Sequence, residues 1–147
     1  MDITNYLPEK KIIPHNYLNE NIEICLGIDE AGRGPVLGPM VYGCAYYPYE
    51  DDKLLKKEFK FDDSKKLTDK KRQEIFSKMK LSDKLFYDVE IISPEDISSK
   101  MLQRSKYNLN RISNDAALEL LRRRLNDNIN ITRVNNLINV GICWYSW

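Results

Sequence analysis

Histidine and closely spaced cysteines are scarce in this chain. It has a single histidine, His15, and three cysteines, Cys25, Cys44 and Cys143. A lone histidine argues against a histidine-dependent general base and a histidine-rich metal site, and in a polar segment we expect it to be solvated. Three cysteines so far apart fit neither a disulfide framework nor a zinc site with paired ligands.

Long apolar runs are also missing. No stretch approaches the roughly 18 apolar residues that a membrane span needs. Residues 1–18 lack the apolar run and the small-residue cleavage site of a secretory signal. We therefore expect no membrane partner and a reducing compartment. The 147 residues, 42% hydrophobic and 31% charged, make about one globular domain.

The net charge of +1 does not indicate a nucleic-acid partner, but it conceals a basic stretch at residues 100–124. This stretch has seven basic residues against two acidic ones, Asp115 and Glu119. Such an excess fits a surface that faces phosphates, and it fits a solvated helix face equally well. The basic residues are Lys100, Arg104, Lys106, Arg111, Arg122, Arg123 and Arg124.

Four segments are typical of β-strands. In residues 22–28 isoleucine and leucine alternate with other residues, which is the period of a strand with one buried face. An apolar run follows and predicts a second strand paired with the first. The predicted second, third and fourth strands are residues 36–47, 85–92 and 129–137.

The remaining pattern predicts helices and two irregular segments. Thr68 can cap one helix, and Ser93 followed by Pro94 can start a short second one. Apolar residues at helical spacing predict a long helix within residues 101–125. We expect an extended polar leader at residues 1–21 and a charged loop at residues 49–63. Strands followed by helices and a returning strand favour an α/β fold with a mixed sheet.

One short segment, residues 27–35, carries chemistry. Asp29 and Glu30 are adjacent where the first strand is predicted to end, and carboxylates suit hard divalent cations. Consecutive strand residues point to opposite faces, so both can serve one site only if the chain bends there, and the glycines that follow permit a bend. Arg33 lies between Gly32 and Gly34, where the backbone can approach a ligand closely. A charged turn without function remains the alternative.

The segment Gly-Ile-Asp-Glu-Ala-Gly-Arg-Gly-Pro at residues 27–35 resembles the first signature of the type 2 ribonuclease H family at every position. The continuation, Val-Leu-Gly-Pro-Met-Val-Tyr, is similar to the eukaryotic catalytic subunits of that family. The resemblance covers roughly residues 24–134. Further similar segments follow in the family's order at residues 63–67, 99–102, 106–110 and 130–134.

The resemblance implies a ribonuclease H-like mixed sheet flanked by helices, incomplete at its C-terminal side. It implies that Asp29 and Glu30 are catalytic and bind metal, as the first two carboxylates of the family. The implied cofactor is Mg²⁺ or Mn²⁺, with two ions in the family.

The resemblance also implies residues that contact nucleic acid. The Gly-Arg-Gly motif would read the sugar 2′-hydroxyl at an RNA–DNA junction, the group that distinguishes RNA from DNA. A lysine and an asparagine would lie near backbone phosphates, with Asn108 as the alternative to the favoured asparagine. The implied nucleic-acid-binding residues are Gly32, Arg33, Gly34, Lys65 and Asn110.

The C-terminal segment departs from the family. The family's third carboxylate opens an Asp-Thr-Val-Gly motif, whereas residues 138–141 read Ile-Asn-Val-Gly, and residues 133–147 contain no Asp or Glu. We therefore expect a leader at residues 1–21, the N-terminal part of a catalytic domain at residues 22–134 and a divergent tail at residues 135–147. One Asp and one Glu cannot complete the oxygen shells of two ions.

The implied function is that of an endoribonuclease that cleaves the RNA strand of RNA–DNA hybrids, and ribonucleotides embedded in DNA, by two-metal hydrolysis. A catalytically inactive fragment or hybrid-binding module is the alternative, and a generic phosphate-binding α/β domain is a third reading. The implied partners are the hybrid duplex and the accessory subunits B and C of ribonuclease H2. The implied setting is DNA replication and ribonucleotide excision repair in the nucleus.

Overall fold

The structure is a computed structural model, and it describes residues 10–14, 18, 21–33, 38–60, 67–105 and 107–134. Two strands, two helices, a third strand, two further helices and a returning strand follow one another along the chain. In chain order the elements are β1 (Ile24–Ala31), β2 (Met40–Pro48), a 3-10 turn (Tyr49–Asp51), α1 (Asp52–Phe59), α2 (Asp69–Leu81), β3 (Phe86–Ile92), α3 (Pro94–Met101), α4 (Leu109–Asn126) and β4 (Ile131–Val134).

The strands form a mixed sheet in the order β3-β2-β1-β4. β2 pairs antiparallel with β1 and with β3, whereas β4 runs parallel to β1. Every residue of β2 is buried, as befits a central strand covered on both faces. The expected α/β class with a mixed sheet flanked by helices is therefore confirmed, although β2 begins at Met40, later than the predicted residue 36.

Helices cover both faces of this sheet, and each face has its own core. On one face, α1 and α2 contribute Leu55, Phe59, Ile75 and Met79. On the other face, α4 contributes its row of residues at helical spacing. That row is Ile112, Ala116 and Leu120. In the part of the chain that the structure describes, no helix combines the length and apolar character needed to cross a membrane.

The predicted loop at residues 49–63 is wrong where the structure describes it. Residues 49–51 form the 3-10 turn and α1 follows directly. Leu55 and Phe59, one helical turn apart, are buried in the first core, and burial of this pair stabilises a helix whose other positions are mostly charged. The Tyr47 hydroxyl donates a hydrogen bond to Asp52 at 2.8 Å and ties the start of α1 to β2.

Side-chain caps set the starts of the other helices. The predicted caps of α2 and α3 are confirmed, since Thr68 Oγ1 accepts from the Lys71 amide and Ser93 Oγ accepts from the Asp96 amide. The long helix predicted within residues 101–125 is confirmed as α4. α3 ends at Met101 and α4 begins at Leu109, because Asn108 caps α4.

The leader is more than an extended polar segment. Lys11 pairs with Tyr87 at the outer edge of β3 through two backbone hydrogen bonds of 3.1 and 3.0 Å. Ile13 is 4% exposed and packs in the second core. The Lys11 ammonium also donates to the carbonyls of Met79 and Lys80 at the end of α2. Residues 10–13 therefore cover an edge of the sheet, a role that their lack of periodicity did not indicate.

The arginines at the C-terminal end of the basic stretch form ion pairs and hydrogen bonds within the fold. Arg124 is buried, lies 3.2 Å from Asp88 of β3 and donates to the Tyr46 hydroxyl at 2.9 Å. Arg123 and Arg122 form ion pairs with Glu119 and other acids. Of the two interpretations of residues 100–124, a phosphate-facing surface is therefore wrong for Arg123 and Arg124, which acidic side chains hold within the fold.

Truncation of Ile13 tests the role of the leader segment. Ile13→Ala should lower the free energy of unfolding by about 2–5 kcal/mol, the usual cost of an isoleucine deleted from a core. The matched control is Ile12→Ala, because Ile12 is 54% exposed, and its effect should stay within about 0.5 kcal/mol. Urea unfolding measures both. Equal effects of the two substitutions would show that the segment does not pack as described.

Candidate functional site

The adjacent carboxylates lie near the end of β1, both half-buried. β1 stays in continuous register with β2, Asp29 opposite Gly43 and Glu30 opposite Tyr42, as far as Ala31. Within this regular ladder, Asp29 and Glu30 point to opposite faces of the sheet. The Asp29 carboxylate accepts a hydrogen bond from the Glu30 amide at 2.9 Å.

The expected bend is present, but it comes after the carboxylates. Gly32 has φ of +75°, a conformation that residues with a Cβ rarely adopt. A Cβ at this position would also collide with the carbonyl oxygen of Pro39. The chain therefore leaves the ladder at Gly32, and the turn presents Arg33 at the surface beside the strand end.

The turn meets the first turn of α4. The Arg33 guanidinium donates a hydrogen bond to the Asn110 side-chain oxygen, and both residues are exposed. Asn108 has a different task, because its side-chain oxygen accepts from the Arg111 amide at 3.0 Å and caps the helix. Of the two asparagines that the sequence left open, the structure brings Asn110 to the turn.

Tyr42 belongs to the same group, although the sequence did not single it out. It is the cross-strand partner of Glu30 and is 5% exposed. Burial raises the pKa of Tyr42, and the nearby charges of Glu30 and Asp29 raise it further, whereas Arg33 lowers it. All three charged groups are thus within electrostatic reach of one hydroxyl. The register between β1 and β2, which decides this proximity, cannot be read from either strand alone.

Ser113 completes the wall of the site on the α4 side. Its side chain lies beside the Tyr42 hydroxyl and lowers the pKa of the tyrosine. Its Oγ is buried and makes no hydrogen bond of regular geometry with any residue that the structure describes. The candidate site therefore combines two carboxylates, the turn at Gly32 and Arg33, and two buried hydroxyls.

Among the residues that the structure describes, other acidic side chains do not join the carboxylates. Asp88 is fully buried and engaged by Arg124 and Lys10, while Asp115 is exposed on α4. Among the residues described, no group of three or more His, Cys, Asp or Glu could hold a metal ion. Gly34 and Lys65, both predicted to bind nucleic acid, and Asp63 lie outside the described residues.

The described cysteines have no catalytic character. Cys25 and Cys44 are unbridged and buried, and Cys143 lies outside the described residues. Burial raises the pKa of the Cys44 thiol to about 12, so its thiolate is not populated at neutral pH. Carboxylate chemistry is therefore the chemistry that this site offers.

Comparison with known proteins defines the class. The fold is similar to that of the ribonuclease H2 of Pyrococcus horikoshii OT3, with a TM-score of 0.55 and 32% sequence identity over 67% of this chain and 43% of that one. A structure described as Bst-RNase HIII in complex with Mn²⁺ has a TM-score of 0.59 at 18% identity, covering 78% of this chain and 36% of that one, and shows the fold alone. The architecture is that of these ribonucleases H.

The sequence comparison is more specific. Residues 26–139 match the family model described as Ribonuclease HII, so the chain belongs to the ribonuclease HII family. The A subunit of ribonuclease H2 from Dictyostelium discoideum is 43% identical over 128 residues, 84% of this chain and 44% of that protein. The resemblance inferred from residues 27–35 is thereby confirmed. The chain spans less than half the length of the curated relatives it matches.

Alanine substitutions of the two asparagines at the start of α4 should have unequal effects on the free energy of unfolding. Asn108→Ala removes the helix cap and should lower the free energy of unfolding by about 1 kcal/mol. Asn110→Ala removes only an exposed contact and should change it by less than about 0.5 kcal/mol. Urea unfolding of both variants measures the difference. The reverse order would contradict the assignment of the cap to Asn108.

Proposed function

We propose that this chain carries the part of a type 2 ribonuclease H domain that recognises an RNA–DNA junction. With further carboxylates from outside the described residues, the domain cleaves the RNA strand of hybrids and ribonucleotides embedded in DNA. The observation that carries the proposal is the contact of Arg33 with Asn110 beside the Asp29–Glu30 pair. This contact joins the turn of the family signature to a helix start that the signature does not include.

The turn has the chemistry to distinguish RNA from DNA. Gly32 permits the positive φ by which the chain leaves the strand end, and we take a sugar to approach the backbone amide and carbonyl groups of this turn. A 2′-hydroxyl both donates and accepts hydrogen bonds, which suits backbone groups and the Arg33 guanidinium. The amide of Asn110 orients that guanidinium from the other side. Gly34 and Lys65 are proposed to extend the contact to the sugar and a phosphate.

The carboxylates are suitable ligands for a divalent metal, but the described residues supply too few of them to hold one. Asp29 and Glu30 are hard oxygen ligands, as Mg²⁺ and Mn²⁺ prefer. They leave β1 on opposite faces, and no third acid joins them among the described residues. The described part of the chain therefore supplies part of a metal site. In two-metal hydrolysis the ions activate water and stabilise the leaving oxygen, and that work needs the remaining ligands.

Binding without cleavage is the second candidate function. The incomplete set of carboxylates favours this function, because the turn proposed to bind the RNA–DNA junction needs no metal ligands, whereas cleavage does. The relatives are named as one lettered component of ribonuclease H2, which supports a proposal that the whole protein assembles with accessory subunits. We take these to be subunits B and C, and the setting to be the nucleus. A cleavage assay separates the two functions.

The chain as given should be catalytically inactive or nearly so on an RNA–DNA hybrid with Mg²⁺ or Mn²⁺. A fusion of residues 1–134 to the corresponding C-terminal segment of the Pyrococcus horikoshii relative should cleave it, because the segment restores the missing ligands. Product formation on a gel measures both.

The control is Asp29→Asn in both chains. It should abolish cleavage by the fusion yet leave hybrid binding within a few-fold in both, because binding is proposed to rest on the turn and on basic residues. Robust cleavage by residues 1–147 that Asp29→Asn abolishes would contradict the proposal, since it would mean that the chain already completes the metal site.

A further inference from the structure

The segment between α3 and α4 brings two cations to one aromatic ring. The Arg111 guanidinium carbon lies 4.7 Å from the centroid of the Tyr107 ring, and the Lys100 ammonium lies 6.0 Å from it. Lys100 is in the last turn of α3 and Arg111 in the first turn of α4. The ring is half-buried and packs against the second core, so it holds a fixed position between the two helices.

These cations differ from the arginines at the other end of α4. Arg122, Arg123 and Arg124 are neutralised by acids. Arg111 is exposed and forms no ion pair with any residue that the structure describes. Asp115, one turn further along α4, lines a groove together with Glu90, Glu119 and Lys100. Lys100 thus lies beside the acidic side chains of this groove, whereas the charge of Arg111 is available to bind an anionic ligand.

Stacking prepares a guanidinium for a phosphate. An arginine held over an aromatic ring loses less side-chain freedom on binding than a free one, and its N–H groups can still donate two hydrogen bonds to a phosphate. Arg111 also follows Asn110, the residue that contacts the turn at Arg33. Phosphates of one strand are about 3.4 Å apart along a duplex axis. A strand seated on the turn at Arg33 would therefore bring its neighbouring phosphates past the first turn of α4, where Arg111 lies.

We propose that Arg111, held on Tyr107 and supported by Lys100, binds a backbone phosphate adjacent to the nucleotide read at Arg33. The inference rests on the proposed function, because it takes the ligand to be a nucleic-acid strand seated on that turn. In the basic stretch at residues 100–124, the N-terminal part is then the part that faces phosphates. The ring fixes the guanidinium, and the guanidinium fixes the register of the strand on the surface.

The test is the salt dependence of binding, measured by fluorescence anisotropy with a labelled RNA–DNA hybrid and with the all-DNA duplex of the same sequence. Arg111→Ala should weaken hybrid binding and reduce the slope of log K against log salt concentration by about one unit. Arg111→Lys should keep the slope, since the charge remains, and should lose part of the affinity with the stacked geometry.

Arg122→Ala is the matched control. Arg122 lies eleven residues along the same helix, about 16 Å away on nearly the same face, and it pairs with Glu119. It should leave the slope unchanged. An unchanged slope in Arg111→Ala, or an equal fall in Arg122→Ala, would overturn the proposal. Equal affinity of the unaltered chain for hybrid and DNA would instead count against the junction-reading function, whatever the slopes.

Discussion

The position of helix α4 depends on a buried ion pair. Asp88 of β3 is fully buried, and the guanidinium of Arg124, in the last turn of α4, lies 3.2 Å from it. Burying two such charges costs several kcal/mol each, so the pair is tolerated only with further partners. Lys10, Tyr46 and Asp127 supply them. Because this contact anchors one end of the helix, it also determines where the other end lies.

That other end forms one wall of the candidate site. With Arg124 fixed on β3 and the apolar row packed on the sheet, the capped first turn of α4 places Asn110 against Arg33. Tyr42 lies beside Ser113 of α4 and within electrostatic reach of Arg33. The short signature at the end of β1 thus contacts a helix that begins more than seventy residues later in the sequence. A shift of α4 on the sheet would separate Asn110 from Arg33.

Local sequence signals predicted most of the elements but few of their contacts. Alternation revealed β1, and Thr68 and Ser93 revealed helix starts, because these signals act over a few residues. Helix α1 was missed because only three of its eight positions are apolar, and Ile13 because its partners are distant in sequence. In the site, the signature identified the carboxylates and the turn. Tyr42 could be found only from the strand register, and the ion pairs of Arg123 and Arg124 with acids of β3 only from the packing of α4 on β3.

The central claim is that the turn at Gly32 and Arg33 reads a single 2′-hydroxyl. Two DNA duplexes that differ only in one embedded ribonucleotide test it most directly, because that hydroxyl is their sole chemical difference. In an equilibrium binding titration, the chain should bind the ribonucleotide-containing duplex more tightly, and Arg33→Ala should reduce that preference. Equal affinity of the unaltered chain for the two duplexes would contradict the account.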